Sequence, residues 1–448
     1  MITEFGNGAD AQELTRGNAR RRCLVVHPEV RGTARSRTAA GRLEEAVGLA
    51  HGIDLDVVAA EIIKVTRVRP STLLGKGGVD RLADIFSEAK EEDDPIEVCI
   101  MDAALTPVQQ RNLERAWKTK VIDRTGLILE IFGERARTRE GTLQVELAAL
   151  TYQRSRLVRS WTHLERQRGG LSFIGGPGES QIETDRRLID ERIVRLNREL
   201  TDVARTRQLH RKARKRVPYP IVAFVGYTNA GKSTLFNKLT RSDVMVKDQL
   251  FATLDPTMRS YRLASGQKVI LSDTVGFISD LPHELVAAFH ATLEEVLEAN
   301  VVVHVRDGAH PDSDAQKDDV NAVMQTLGLG SLVDNNDLIE VINKIDAVGC
   351  EERAVIENRS ERQSERCFAI SAKTGEGLAA FCGGIEAKLN EKRHTVETDV
   401  ALHDGATLAW LYAHGEVLLR EDDETEAHMS VRLDPADVER FRRMRDRK

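Results

Sequence analysis

Apolar and polar positions alternate in blocks along the first quarter of the chain. The runs CLVV, VVAAEII, EVCIM and VID trade places with amphipathic stretches over Arg37 to Leu49, Val79 to Ala89 and Val108 to Trp117. Short apolar runs separated by helical periodicity predict βαβ units on a parallel sheet, so residues 23–123 read as an N-terminal α/β domain. The polar stretch 1–22 carries no such pattern and is expected to be disordered, with no apolar segment of the kind that forms a secretory leader.

The pattern then changes period. Leu143, Leu147, Leu150, Leu157, Trp161 and Leu164 recur at steps of three, four or seven, and Ile182, Ile189, Ile193, Leu196, Leu200 and Val203 do the same. Two such stripes predict two long helices packed as an antiparallel hairpin over 124–216, each on the order of 45 Å. Between them lies GGLSFIGGPGES, whose glycines and Pro177 break the helix and set Phe173 and Ile174 at an exposed tip. Ser180 or Glu179 is placed to cap the second helix. VPYP at 217–220 punctuates the chain, and a new α/β pattern runs over 217–395. The remainder, 396–448, reads strand, helix, strand, strand, helix, a small α+β domain. The predicted fold class is therefore a multidomain α/β chain.

Composition alters this picture in one place. Across 448 residues, 65 basic side chains face 71 acidic ones, a net charge of -6 that gives no global sign of a nucleic-acid binder. Residues 151–216 alone carry 17 basic against 8 acidic side chains, a net +9. Much of that charge lies in RTRQLHRKARKR, with Arg205, Arg207, Arg211, Lys212, Arg214, Lys215 and Arg216. A cationic helical hairpin suits RNA, because neutralising phosphates releases counterions and duplex RNA is read largely by shape. The alternative is a solvated surface. Five cysteines are scattered without metal-ligand spacing, which favours a reducing compartment. No apolar run reaches the roughly 18 residues of a membrane span, so a cytoplasmic protein, working as a monomer, is expected.

The candidate chemistry is concentrated in the third domain. Gly226, Tyr227, Thr228, Asn229, Ala230, Gly231, Lys232 and Ser233 spell GxxxxGK[ST] between an apolar strand and a helix continued by Thr234. Backbone amides and a helix N-terminus cradle phosphates, Lys232 reaches the outer ones, and the Ser233 hydroxyl suits Mg²⁺. Asp273, Thr274, Val275 and Gly276 form DxxG after a strand, with Asp273 serving the metal through a water and the Gly276 amide facing a γ-phosphate. Asn343, Lys344, Ile345 and Asp346 form NKxD. The Asp346 carboxylate accepts from guanine N1–H and N2–H₂, where adenine would present an acceptor. Ser371, Ala372 and Lys373 follow another strand end and offer an amide to guanine O6. Four elements in this order make the base guanine, and Asp346 argues against ATP as the main ligand, which leaves a P-loop ATPase as the third reading. LGKGGVD at 74–80 lacks this register, and reads as a helix-start turn or a second nucleotide or anion site.

These stretches, with DRTGLILEIFGERARTREGTLQVELAALTYQRSRL, GGPGESQIETDRR, FVGYTNAGKSTLFN, FATLDPT and SDTVGFI, resemble the HflX family within the translational GTPase-like class of P-loop proteins. The resemblance implies slow GTP hydrolysis and action on the large ribosomal subunit and its rRNA, separating stalled or idle ribosomes. It implies a switch I loop of Phe251, Ala252, Thr253, Leu254 and Asp255, with Thr253 on Mg²⁺ and the γ-phosphate; Thr257 is a second candidate from spacing alone. It implies a hairpin tip near the peptidyl-transferase region, and an Asn229 that helps hold K⁺ against the phosphates. Phe277 follows DxxG where a water-orienting glutamine would stand, and a phenyl ring neither donates to nor accepts from water. Phe277 then acts as a brake relieved by the ribosome, or packs as core, or both. The alternative function is a GTP-gated factor in large-subunit assembly.

Overall fold

The computed structural model describes residues 20–31, 37–91, 94–167, 177–214, 219–241, 251, 257–279, 296–334, 337–391, 393–433 and 435–445. The expected switch residues Ala252, Thr253, Leu254 and Asp255, the tip residues Phe173 and Ile174, and Lys215 lie outside them. The chain divides into two compact units, the first built mainly from residues 1–205 and the second mainly from 206–448.

The first unit begins with a parallel sheet of order β2-β1-β3-β4, from strands β1 (Arg22–Val30), β2 (Asp56–Val65), β3 (Val98–Met101) and β4 (Lys120–Asp123). Helices α1 (Ala39–His51), α2 (Lys76–Glu91) and α3 (Pro107–Trp117) connect them. Because side chains alternate along a strand, Leu24, Val26, Cys99 and Met101 point to one layer with Leu82, Phe86, Leu113 and Trp117. LGKGGVD is the start of α2. Cys23 and Cys99 are buried, and burial pushes both thiols above their ordinary range.

Asp123 ends β4 and organises the turn into the next helix. It is 2% exposed, caps α4 (Arg124–Arg135) by accepting from the Gly126 N–H, and accepts from the Leu105 N–H, Tyr152 Oη and Arg156. The sequence pattern places 124–135 in the hairpin, whereas these residues form a helix of their own, α4, packed against the helix that follows it as well as α1, β4 and β3. The hairpin helices proper are α5 (Arg139–Gln167) and α6 (Pro177–Arg214). Pro177, expected in the break, opens α6, where its missing N–H costs no hydrogen bond. Glu179 and Ser180 therefore sit inside the helix rather than capping it. Arg192 grips Glu146 with two hydrogen bonds of 2.7 and 2.9 Å, and Arg154 meets Asp190 at 3.1 Å. Leu143 and Leu196, one from each predicted stripe, are buried.

The second unit holds a six-stranded sheet of order β10-β9-β8-β5-β7-β6. It comprises β5 (Ile221–Gly226), β6 (Thr257–Arg262), β7 (Lys268–Asp273), β8 (Val301–Asp307), β9 (Ile339–Asn343) and β10 (Cys367–Ala369), all parallel except the edge strand β6. Its helices are α7 (Lys232–Thr240), α8 (Ser313–Thr326), α9 (Gly330–Asp334), α10 (Cys350–Arg362) and α11 (Leu378–Glu391). Val222, Phe224, Phe236, Val303, Val341 and Phe381 lie in one continuous core. The C-terminal residues follow the expected order, with β11 (His394–Ala401), α12 (Gly405–His414), β12 (Glu416–Asp422), β13 (Glu426–Leu433) and α13 (Pro435–Arg445) around an antiparallel sheet of order β11-β13-β12. Among the described residues no helix is long and apolar enough to cross a membrane.

Candidate functional site

In an open parallel sheet, ligands bind where loops leave the carboxyl ends of the strands. Here the loops after β5, β7, β9 and β10 carry the four motifs. β5 is flanked by β8 and β7, and its last residue, Gly226, opens the phosphate loop. Gly231 adopts φ +90°, and a Cβ there would come within 2.2 Å of Asn343 Nδ2, so only glycine fits. Asn229 also has positive φ and sits exposed at the loop crest.

Lys232, the first residue of α7, is 6% exposed and donates through Nζ to the carbonyls of Gly226 (3.0 Å) and Tyr227 (2.8 Å). Burial lowers its pKa to about 8, partly opposed by the Asp273 carboxylate. The Ser233 hydroxyl donates to Asp273 Oδ2 at 2.7 Å. These two oxygens, brought together from α7 and the end of β7, are the hard donors that magnesium prefers. Ser233 would hold the ion directly and Asp273 through a water. A magnesium ion held there would neutralise charge on the outer phosphate oxygens.

The base-reading end is joined to the phosphate loop by one side chain. Asn343, 1% exposed, donates from Nδ2 to the Ala230 carbonyl and accepts at Oδ1 from the Ala372 N–H, both at 2.9 Å. Asp346 leaves Lys344, which has φ +66°, in a short 3₁₀ turn and is solvent-facing. Its Oδ1 accepts from the Ser371 hydroxyl at 2.7 Å, which fixes the carboxylate's orientation. Lys344 itself pairs with Asp307 at 2.7 Å. The residues of GxxxxGK[ST], DxxG, NKxD and Ser371–Lys373 thus meet along one edge of the sheet.

Phe277 lies 3% exposed, in line with its expected core role. Its main chain pairs with the phosphate loop: the Phe277 N–H donates to the Gly226 carbonyl (3.1 Å), and its carbonyl accepts from the Thr228 N–H (2.8 Å). The neighbouring Ser279 N–H donates to Tyr227 Oη at 2.9 Å. Phe251, with φ +58°, is 2% exposed and packs edge-on against Phe132 of α4, ring centroids 4.6 Å apart. Thr257 begins β6, paired with Asp273. Arg205 is exposed on α6, and Arg207, Arg211, Lys212 and Arg214 occupy its last turns.

Three participants lie outside the motif reading. Asp307 ends the run VVVHVRD, and a carboxylate at a strand's carboxyl end is its one signal. The Tyr227 hydroxyl and the dual grip of Asn343 have no signal along the chain, since their partners are 52, 113 and 29 positions away.

Fold and loop set together define a P-loop nucleotide-binding protein built to read guanine. Family models match in tandem: "GTP-binding GTPase N-terminal" over 40–133, "GTP-binding GTPase Middle Region" over 135–214, "50S ribosome-binding GTPase" over 221–344 and "HflX C-terminal domain" over 355–447. GTPase HflX of Magnetococcus marinus is 48% identical over 88% of this chain and 88% of its own length. GTPase HflX of Escherichia coli is 43% identical over 76% of this chain and 78% of its own, and that of Lacrimispora saccharolytica 42% over 85% and 86%. The chain belongs to the HflX family of GTPases.

Proposed function

We propose that this GTPase binds the large ribosomal subunit in its GTP state, separates stalled or idle ribosomes, and leaves after hydrolysis. The observation that carries the nucleotide half is Asn343, which fixes the Ala230 carbonyl of the phosphate loop and the Ala372 amide beside the Asp346 carboxylate. Guanine then docks on Asp346, held by Ser371, while Lys232 meets the outer phosphates. Water attacks the γ-phosphorus, the bond to the bridging oxygen breaks, and GDP and phosphate form.

No side chain at position 277 orients that water, since the Phe277 ring is buried and apolar. The turnover of the protein alone is accordingly slow. On the ribosome, Thr253 of the Phe251–Asp255 segment would reach magnesium and the γ-phosphate and complete the site. Asn229, at the crest of the loop, would hold K⁺ against the same phosphates, where it would add positive charge. Replacing K⁺ by Na⁺ is expected to slow hydrolysis.

The ribosomal half is supported by the match over 221–344, which is described as a 50S ribosome-binding GTPase, and by the net +9 of residues 151–216. The protein acts in the cytoplasm as a single chain. Sedimentation with ribosomes and a non-hydrolysable GTP analogue is the test: subunits separate once and the protein stays on the large one. Co-sedimentation with immature particles alone would favour an assembly factor. Equal GTP turnover with and without ribosomes would end the proposal that the ribosome completes the site.

A further inference from the structure

The carboxyl ends of β8 and β9 are stapled beside the base-reading loop by a pair that the nucleotide motifs do not require. Asp307, the last residue of β8, is 9% exposed and is paired with Asn343 in the ladder. A carboxylate so nearly buried needs partners, and the structure supplies them. Its Oδ1 accepts from the Ala309 N–H at 3.0 Å, and its Oδ2 accepts from the Lys344 ammonium at 2.7 Å. The Gly308 N–H donates to the Asn343 carbonyl at 2.8 Å and closes the staple through the main chain.

Lys344 stands where β9 turns into the guanine-reading segment, and its backbone is strained there. Its φ of +66° and ψ of 30° are left-handed, a conformation in which the Cβ of an L residue crowds the following carbonyl. Glycine, asparagine and aspartate tolerate this region, whereas a lysine stays in it only when its surroundings hold it. Much hangs on the turn. The Lys344 carbonyl accepts from the Ala347 N–H at 2.9 Å and opens the 3₁₀ turn Ile345–Ala347, and the Ile345 N–H reaches the Ile370 carbonyl at 3.3 Å. Asp346 emerges from that turn with Oδ1 on the Ser371 hydroxyl at 2.7 Å. A residue 344 relaxed to the right-handed or extended region would redirect the carboxylate.

We infer that Asp307 is a specificity-determining positioning residue of the guanine site: its grip on the Lys344 ammonium keeps residue 344 left-handed and thereby aims the Asp346 carboxylate. The pair is partly open to water, with 30% of the Lys344 side chain and 12% of that of Asp307 exposed, so its hold is modest. Its effect falls on base discrimination. Paired bonds to guanine N1–H and N2–H₂ need an aimed carboxylate, whereas a single bond to a base without the 2-amino group tolerates drift. This rests on the guanine-nucleotide reading of the site.

The test is Asp307→Asn in the full chain, which keeps the size of the side chain and an acceptor for Ala309 but removes the charge. Affinities for GDP and for IDP, whose base lacks the 2-amino group, are measured by calorimetry. The GDP-to-IDP affinity ratio is expected to fall by about three- to tenfold, the weight of one net hydrogen bond. The same substitution is then made in Lys344→Gly, where no ammonium remains to be held and a left-handed turn suits the residue. There it is expected to leave the ratio unchanged. A ratio that holds steady in the single variant, even with both affinities lowered, reduces Asp307 to a structural role and overturns the inference, as does a further fall in the glycine background. If Asp307→Asn does not fold, Lys344→Met breaks the pair from the other side, and an unchanged ratio there overturns it equally. A wild-type chain that binds GDP and IDP alike, or neither, would instead overturn the guanine reading.

Discussion

At Lys232 the chain buries an ammonium among carbonyls, and the consequence can be measured as protons. Its pKa of about 8 in the free protein reflects burial, relieved in part by Asp273. Phosphates beside it favour the charged form, so the bound pKa lies higher. Between about pH 8 and the ordinary lysine value near 10.4, the free protein holds fewer protons than the complex. Binding then takes up a proton, and affinity for GDP or GTP falls as pH rises through that window; well below pH 8 Lys232 contributes no pH dependence. Calorimetric titration at pH 8.5 in two buffers of different ionisation enthalpy is expected to show this uptake, and at pH 6.5 to show none from this residue.

Among the elements, β8 and β9 are held together by charge as well as by their ladder. Glu340 of β9 receives Arg306 of β8, Lys317 of α8 and Arg359 of α10. Burial alone would raise its pKa, but the Arg306 hydrogen bond and the surrounding cations outweigh it and hold the carboxyl at about 2. A depressed carboxylate stabilises the fold above its unfolded pKa, and that contribution is lost as pH falls from about 4.5 towards 2. Glu340→Ala leaves Arg306, with 5% of its side chain exposed, short of its main partner. The cost is on the order of 3 kcal/mol at pH 7. Urea unfolding measured at pH 7 and pH 2.5 is expected to show a lowered midpoint for the variant at pH 7 and a smaller gap at pH 2.5.

Such a cluster also marks where reading along the chain stops. The βαβ alternation, the Gly226–Ser233 loop and Asp346 are legible, because periodicity and fixed spacing are local properties. Glu340 sits in DLIEVINK as an ordinary exception to an apolar strand, and only its neighbours on β8, α8 and α10 give it a purpose. The start of the hairpin is hidden for a similar reason. Asp123 both ends a strand and caps α4, so the chain passes from sheet to helix with no glycine or proline to announce the change. Pro177 reads as a breaker, although proline is equally at home in a first turn.

For the whole molecule, charge is segregated: residues 151–216 carry a net +9 on a chain whose total is -6. If the last turns of α6 meet rRNA phosphates, each contact adds to the salt dependence of binding. Replacing Arg211, Lys212, Arg214 and Lys215 by Gln is expected to abolish large-subunit binding near physiological salt. At low salt, where residual binding can be measured, the slope of log K against log salt falls by about 3. Sedimentation between 50 and 200 mM KCl, roughly the range over which such contacts lose their grip, measures both, with GTP affinity retained as the control.

Asn343 has a further consequence for how a ligand departs. One carboxamide is the crossbar between the phosphate loop and the segment beside Asp346, so loosening either end costs a hydrogen bond at the other. If the nucleotide docks as proposed, a partner that pries at one end is expected to weaken the hold at both.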